Sequence, residues 1–203
     1  MHGFVVTHPG GALLVDTGVG GPEHALEPWQ VVNHTVADAL AELDMSPADI
    51  DLVINTHLHF DHCGQNAVFR HAPFYVQRAE LARAERESSE LYEWLSFASA
   101  RWELLDGDTE IVPGVSVMAT PGHTAGHQCV VVRDSSEGPE ASEADLLIGD
   151  AAYSPRVWMN PELGVGVPGQ AADPDAWHGS IGRLRSLAAD RIHFCHHTDV
   201  LHG

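Results

Sequence analysis

Thr56-His57-Leu58-His59-Phe60-Asp61-His62 gathers three imidazoles and a carboxylate between positions 57 and 62. Such a run is a poor recipe for an apolar core and a good one for holding metal. Imidazole nitrogen and carboxylate oxygen both suit zinc-type ions, and catalytic sites leave a coordination position open for water. The preceding Asp51-Leu52-Val53-Ile54-Asn55 reads as a short buried strand, so the cluster falls where a strand gives out into a loop. Residues two apart in extended chain face the same side, which lets His57 and His59 converge on one ion. Asp61 and His62, where the chain bends away, are placed to address a second.

Composition narrows what such a centre could act on. The chain has 203 residues, enough for one sizeable core, and residues 1–203 are expected to form a single domain. Its 10 basic and 29 acidic residues leave a formal charge of −19, a field that repels phosphate backbones and anionic membranes. A neutral small molecule is the expected partner, with neither nucleic acid nor membrane; self-association stays open. No apolar run approaches bilayer-spanning length and no basic leader precedes one, so the cytoplasm is the expected compartment. Cys63, Cys129 and Cys195 are odd in number and widely spaced, which argues against a disulfide framework and for packed thiols, with Cys63 after the cluster and Cys195 before His196 alternatively standing behind the ligands.

Outward from the cluster, strands alternate with helices. Phe4–Thr7 and Ala12–Asp16 form a hairpin across His8-Pro9-Gly10-Gly11. Asp16, ending the second strand, is expected to tie down a neighbouring loop by accepting backbone hydrogen bonds. Gly18 to Pro28 reads as a loop. Val36, Ala39, Leu40 and Leu43 predict a helix to about Asp44 behind Asn33 and Thr35, and Ser46-Pro47-Ala48-Asp49 predicts a capped turn. Pro73–Gln77 is a strand, and Ala79–Arg86 a solvated charged helix. Leu91, Leu95, Ala98 and Trp102 fall on one helical stripe, with Tyr92, Trp94 and Phe97 as surplus aromatics that could wall a pocket near the metals.

The second half echoes the first. Glu110–Ala119 is a strand pair around Pro113-Gly114, leading into Thr120-Pro121-Gly122-His123-Thr124-Ala125-Gly126-His127. His123 is the expected ligand and His127, opening the strand Gln128–Val132, a hydrogen-bonding support. Asp134–Glu143 is an acidic loop. Leu146-Leu147-Ile148-Gly149-Asp150 is another apolar strand ending in Asp, whose two oxygens could bridge two cations. Pro155–Pro174 reads as an irregular covering loop. Asp175–Ala189 is a helix with Ile181, Leu184 and Leu187 inward, and Arg191–Cys195 a last strand running into His196 and His197. Two similar halves, each with a strand ending in Asp and another ending in His, suit a pair of facing αβ units.

Asp16-Thr17-Gly18, His57-x-His59-x-Asp61-His62, Pro121-Gly122-His123-Thr124, Gly149-Asp150 and a terminal-strand histidine, in that order, resemble the metallo-β-lactamase-fold hydrolases. The resemblance runs over nearly the whole chain. It implies an α+β fold, a four-layer αβ/βα sandwich with a dinuclear metal site at the sheet edges. By matching position, one metal takes His57, His59 and His123, the other takes Asp61, His62 and His196, and Asp150 bridges; His197 is the alternative to His196. The ions implied are two divalent metals, zinc first, with iron, manganese or cobalt also compatible.

Asn55 to Gly64, Thr120 to Gln128, Asp150-Ala151-Ala152-Tyr153 and Tyr75-Val76-Gln77-Arg78-Ala79-Glu80 look most like the N-acyl homoserine lactonases. That branch implies lactone opening by a metal-bridging hydroxide, with Tyr153 at the lactone carbonyl and Asp61 carrying the proton. Against that branch the chain looks short at both ends, which bears on pocket shape. A glyoxalase II-like thioester hydrolase shares nearly every ligand and is the enzymatic alternative. A metal-binding regulatory or interaction domain is the non-enzymatic one.

Overall fold

The architecture is that of a computed structural model, which describes residues 1–21, 26–27, 30–32, 34–87, 95–134 and 143–203. Strands β1 (Phe4–His8), β2 (Gly11–Val15), β3 (Leu52–Ile54), β4 (Pro73–Gln77) and β5 (Arg101–Leu105) form one sheet in the order β1-β2-β3-β4-β5. The β1–β2 hairpin is antiparallel and the other pairings are parallel. Strands β6 (Thr109–Val112), β7 (Val115–Ala119), β8 (Gln128–Arg133), β9 (Ala144–Leu147), β10 (Arg191–His193) and β11 (Val200–His202) form the second sheet, order β11-β10-β9-β8-β7-β6. There β9 and β10 run parallel and their neighbours antiparallel.

Period-two alternation builds the layers. Leu13 and Val15, with Leu52 and Ile54, turn one face of the first sheet onto Val115, Val117, Val130 and Leu147 of the second. The alternate residues Ala12, Leu14, Val53 and Phe74 point the other way, onto Leu40 of helix α1 (Val36–Ala41) and onto Ile50 and Phe69. On the far side, Cys129, Val131 and Leu146 pack against Trp158 of α4 (Pro155–Met159) and Trp177, Ile181 and Leu184 of α6 (Pro174–Ser186). Two shorter helices, α2 (Phe60–Cys63) and α5 (Glu162–Val165), and the longer α3 (Arg78–Glu87) are also present. Helix, sheet, sheet, helix is the four-layer order expected. Among the described residues no helix is long and apolar enough to cross a membrane.

Several expectations need correction. Helix α1 stops at Ala41, and Leu43 is 58% exposed because the chain has already turned out of helical register. The Thr35 side chain caps it by accepting from Asp38 N; Asn33 lies outside the described residues. Ser46 and Asp49 form the reciprocal capping box of the following turn. Trp102 belongs to strand β5, not to a helical stripe. With Phe97 it packs on Phe74 (ring centroids 5.4 and 5.6 Å) in the layer beneath α1, so these aromatics do not wall the centre. Leu91, Tyr92 and Trp94 lie outside the described residues, as do most of the 134–143 loop and parts of the 18–28 loop. The segment 155–174 is not irregular throughout, since Ser154 caps α4 and α5 follows it. Asp150 sits in a 3-10 turn, Gly149–Ala151, beyond the end of β9.

Candidate metal centre

The chain leaving the parallel strands β2 and β3 supplies Asp16 and the His57–His62 run, and the chain leaving β7, β9 and β10 of the second sheet supplies His123, Asp150 and His196. Asp16 follows β2 in a left-handed conformation (φ 59°). Its Oδ1 accepts from Thr56 N (2.8 Å), and Oδ2 from Thr56 Oγ1 (2.7 Å) and His62 Nδ1 (2.8 Å). The expected tie to the neighbouring loop is therefore present, and it reaches one of the histidines as well. Past β3 the chain runs extended through His57 to His59 and then turns into α2, which carries Asp61 and His62.

His57, His59, His123 and Asp150 come together, with one candidate ligand atom from each lying within 4.8 Å of the others. His57 Nε2 is 2.9 Å from His59 Nδ1 and 3.2 Å from His123 Nε2, and His59 Nδ1 is 3.1 Å from His123 Nε2. A second group joins His62, Asp150, Cys195 and His196 within the same distance. Asp61 borders it, with Oδ2 3.5 Å from His196 Nε2 and 3.7 Å from His62 Nε2. Asp150 faces both groups. Its Oδ2 is 3.2 Å from His123 Nε2, and its Oδ1 is 3.2 Å from both His62 Nε2 and His196 Nε2. His197 is turned away, 40% exposed, with Nδ1 accepting from Asp199 N.

Proton bookkeeping tests whether cations fit. Thr56 Oγ1 donates to the Asp16 carboxylate, so at 3.1 Å it accepts from His57 Nδ1–H, leaving His57 Nε2 a bare lone pair. The carbonyl of Gln170 can only accept, so His123 Nδ1 donates to it (3.3 Å) and His123 Nε2 is bare too. Two lone pairs thus point at each other, and one proton on His59 Nδ1 can satisfy only one of them. His62 spends its Nδ1 proton on Asp16, and its buried Nε2 makes no aligned hydrogen bond. In the first group acceptors converge on acceptors, which fits a positive ion there, and in the second the Asp150 carboxylate beside His62 and His196 offers anionic oxygen to another.

Electrostatics point the same way. Burial, then neighbouring histidines, hold His57 well below the ordinary imidazole value, and burial and then His123 push His59 down to about 4. Both are neutral donors at physiological pH. Burial resists charge on His62, but Asp150 and Asp16 outweigh it and raise its pKa well above the usual value. In that group a proton occupies the electrostatic role open to a cation.

Support comes from residues behind the ligands. His127 Nε2 accepts from Asp150 N (3.0 Å) while its Nδ1 meets Thr120 Oγ1 (2.8 Å), so His127 is a hydrogen-bonding support as expected. Burial, ahead of His123, pushes it down to about 3, which keeps it a neutral acceptor. Tyr153 stands between the groups, its ring centroid 5.9 Å from that of His123 and 5.1 Å from that of His196. Burial first, then Asp150 and Asp61, keep its phenol protonated.

Sequence reasoning missed two neighbours, Glu80 and Gln170, and read a third, Cys195, first as a packed thiol. Glu80, placed in a solvated charge run, is fully buried. It accepts from Leu58 N (2.9 Å), Thr124 Oγ1 (2.7 Å) and Gly126 N (3.1 Å) and pairs with Arg83 (2.6 Å). Gly126 permits that approach, since a Cβ there would lie 2.2 Å from Glu80 N. Cys195 donates to Asp150 Oδ1 (3.0 Å), and Gln170 reaches the centre from the segment between α5 and α6. The run RAELAR gave no sign of burial; only the spacing of Glu80 and Arg83, one helical turn apart, hinted at a pair.

Beside His59 and His123 opens a cleft of about 420 Å³, lined by Arg83, Glu87, Pro121, Gly169 and Asp173 among others.

The metallo-beta-lactamase superfamily model matches residues 3–196. An N-acyl homoserine lactonase of Bacillus sp. is 33% identical over 87% of this chain and 72% of its own length. The N-acyl homoserine lactonase AttM of Rhizobium radiobacter is 29% identical over 91% of this chain and 76% of its own. Among solved structures, a quorum-quenching N-acyl homoserine lactone lactonase superposes with a TM-score of 0.75 at 30% identity, covering 95% of this chain and 77% of that one. An N-acyl homoserine lactone hydrolase with N-hexanoyl-L-homoserine at its catalytic metal center gives 0.74 at 29% identity, covering 95% and 79%. With the two facing sheets and the ligand clusters at their rim, these matches establish that the chain belongs to the metallo-beta-lactamase superfamily and is a metallo-hydrolase.

Proposed function

We propose that the chain opens neutral lactone rings, with N-acyl homoserine lactones as the substrate class. In this reading His57, His59 and His123 hold one divalent cation, Asp61, His62 and His196 hold a second, and Asp150 is shared. The observation that carries it is Asp150, whose two carboxylate oxygens face opposite histidine groups at 3.2 Å. When bound, such a pair supplies Lewis acidity and a solvent nucleophile active near neutral pH. Zinc suits the donors best, and iron, manganese or cobalt also fit them.

The chain's own groups do the rest. The protonated Tyr153 hydroxyl donates to the oxygen of the lactone carbonyl as negative charge develops there. Asp61, partly exposed at the mouth, takes the proton of the attacking water oxygen and returns it to the departing ring oxygen, so the product is a hydroxy acid. His127 and Asp16 hold Asp150 and His62 in orientation and leave their ligand atoms free. The net charge of −19 favours an uncharged substrate. The lactonase names of the relatives and the product-bound neighbour support the same substrate class.

The test is hydrolysis by the zinc-loaded chain of acyl homoserine lactones of graded chain length beside a glutathione thioester. Preferential lactone opening supports the reading. Faster thioester cleavage would favour the glyoxalase II-like alternative, and no turnover on either with two metals bound would contradict the reading.

A further inference from the structure

Gln170 lies in the segment between α5 and α6, and its side chain is fully buried. Three of its four polar groups go to the centre or to its immediate support. The amide nitrogen donates to Asp150 O, the amide oxygen accepts from Tyr153 N (2.8 Å), and the main-chain carbonyl accepts from His123 Nδ1 (3.3 Å). Its own N–H is spent on Val167 O (3.1 Å). Gly169, just before it, takes a left-handed φ of +80°, and a Cβ there would stand 3.4 Å from the Tyr153 hydroxyl. The segment is pinned a second time where Asp173 N donates to Gly122 O (2.9 Å) beside His123.

We propose that Gln170 is a positioning residue that sets the mutual orientation of Asp150, Tyr153 and His123. A primary amide suits the task because one end must donate to a carbonyl and the other accept from an N–H. The side chain spans the turn from Asp150 to Tyr153, so it fixes the spacing of the shared carboxylate and the phenol. The main-chain carbonyl fixes the His123 tautomer that leaves Nε2 bare. The segment between α5 and α6 thus holds the centre together.

The inference rests on the dinuclear reading above, but its first readout is independent of any substrate. The full-length chain is titrated with cobalt(II), whose visible absorption reports the geometry of the His123 and Asp150 donors. Gln170→Met should shift that absorption and weaken cobalt affinity about 10-fold or more, in the range seen when partners behind metal ligands are removed. Gln170→Glu, which keeps an acceptor for Tyr153 N but loses the amide donor, should lie between Gln170→Met and wild type. On a lactone substrate, kcat should fall about 10–100-fold while KM moves less than about threefold. Val165→Ala, at the end of α5 and remote from these bonds, should leave the spectrum unchanged. Wild-type spectrum and affinity in Gln170→Met, or in Gln170→Glu should the former not fold, would overturn the proposal whether or not lactones prove to be the substrate.

Discussion

Glu80 Oε1 lies 2.9 Å from Leu58 N, the residue between His57 and His59, while its Oε2 accepts from Thr124 and Gly126 on the turn carrying His123. One buried carboxylate therefore fastens two ligand-bearing loops from different sheets. Glu80→Ala removes these acceptors and leaves the buried Arg83 guanidinium with Glu87 as its ion-pair partner among the described residues. Breaking a buried pair costs about 3–5 kcal/mol, and losing support behind metal ligands weakens affinity about 10–100-fold. Chemical denaturation and a zinc competition titration should show both losses in Glu80→Ala. Glu80→Gln should retain more stability than Glu80→Ala.

Tyr153→Phe tests the oxyanion role. The ring's packing beside His123 and His196 needs no hydroxyl, so two metals should still bind. Removing one donor to a developing oxyanion typically costs about 10²–10³ in kcat. Unchanged lactone turnover in steady-state assays would remove the tyrosine from the mechanism.

Asp61 has a different signature. Its Oδ2 stands 3.5 Å from His196 Nε2, so Asp61→Asn weakens the charge of the second group and abolishes the proton carrier. Metal analysis should show weakened retention of one ion, and kcat should fall more than about 10²-fold. Full rate with both ions retained would contradict the assigned role.

Acid should destabilise the metal-free chain from about pH 6.5 downward. Burial depresses His59 to about 4 and His127 to about 3, so between those values and about 6.5 the unfolded chain binds protons that the folded chain refuses. Their neutral forms are compatible with the fold above that window, and stability falls as pH drops through it. Glu80 adds to this at lower pH. Burial opposes its ionisation, but Arg83 and Thr124 more than compensate, holding its pKa below the usual value. Its contribution is present above about 4.3 and lost as pH falls through the depressed folded value. Thermal melts from pH 7 to 4 should show the decline, and His127→Gln should flatten its upper part.

Period-two alternation in short apolar runs made the sheets legible, because Leu13, Val15 and Leu147 must face a partner sheet whatever the loops do. Ligand candidates were legible because donor side chains cluster where strands end. Strand β5 was not, since Trp102 shares a helical spacing with Leu95 and Ala98, and only pairing with β4 shows it extended. Glu80 and Gln170 were hidden for another reason. Their types are ordinary on a surface, and burial of a polar residue is decided by partners distant in sequence, here Gly126 and Asp150.

The account depends on two cations sharing Asp150, and anomalous diffraction from zinc-loaded crystals tests it most directly. Two peaks are predicted, one among His57, His59 and His123 and one among Asp61, His62 and His196, with an Asp150 oxygen facing each. A single peak, or two peaks with Asp150 turned away from either, would contradict it.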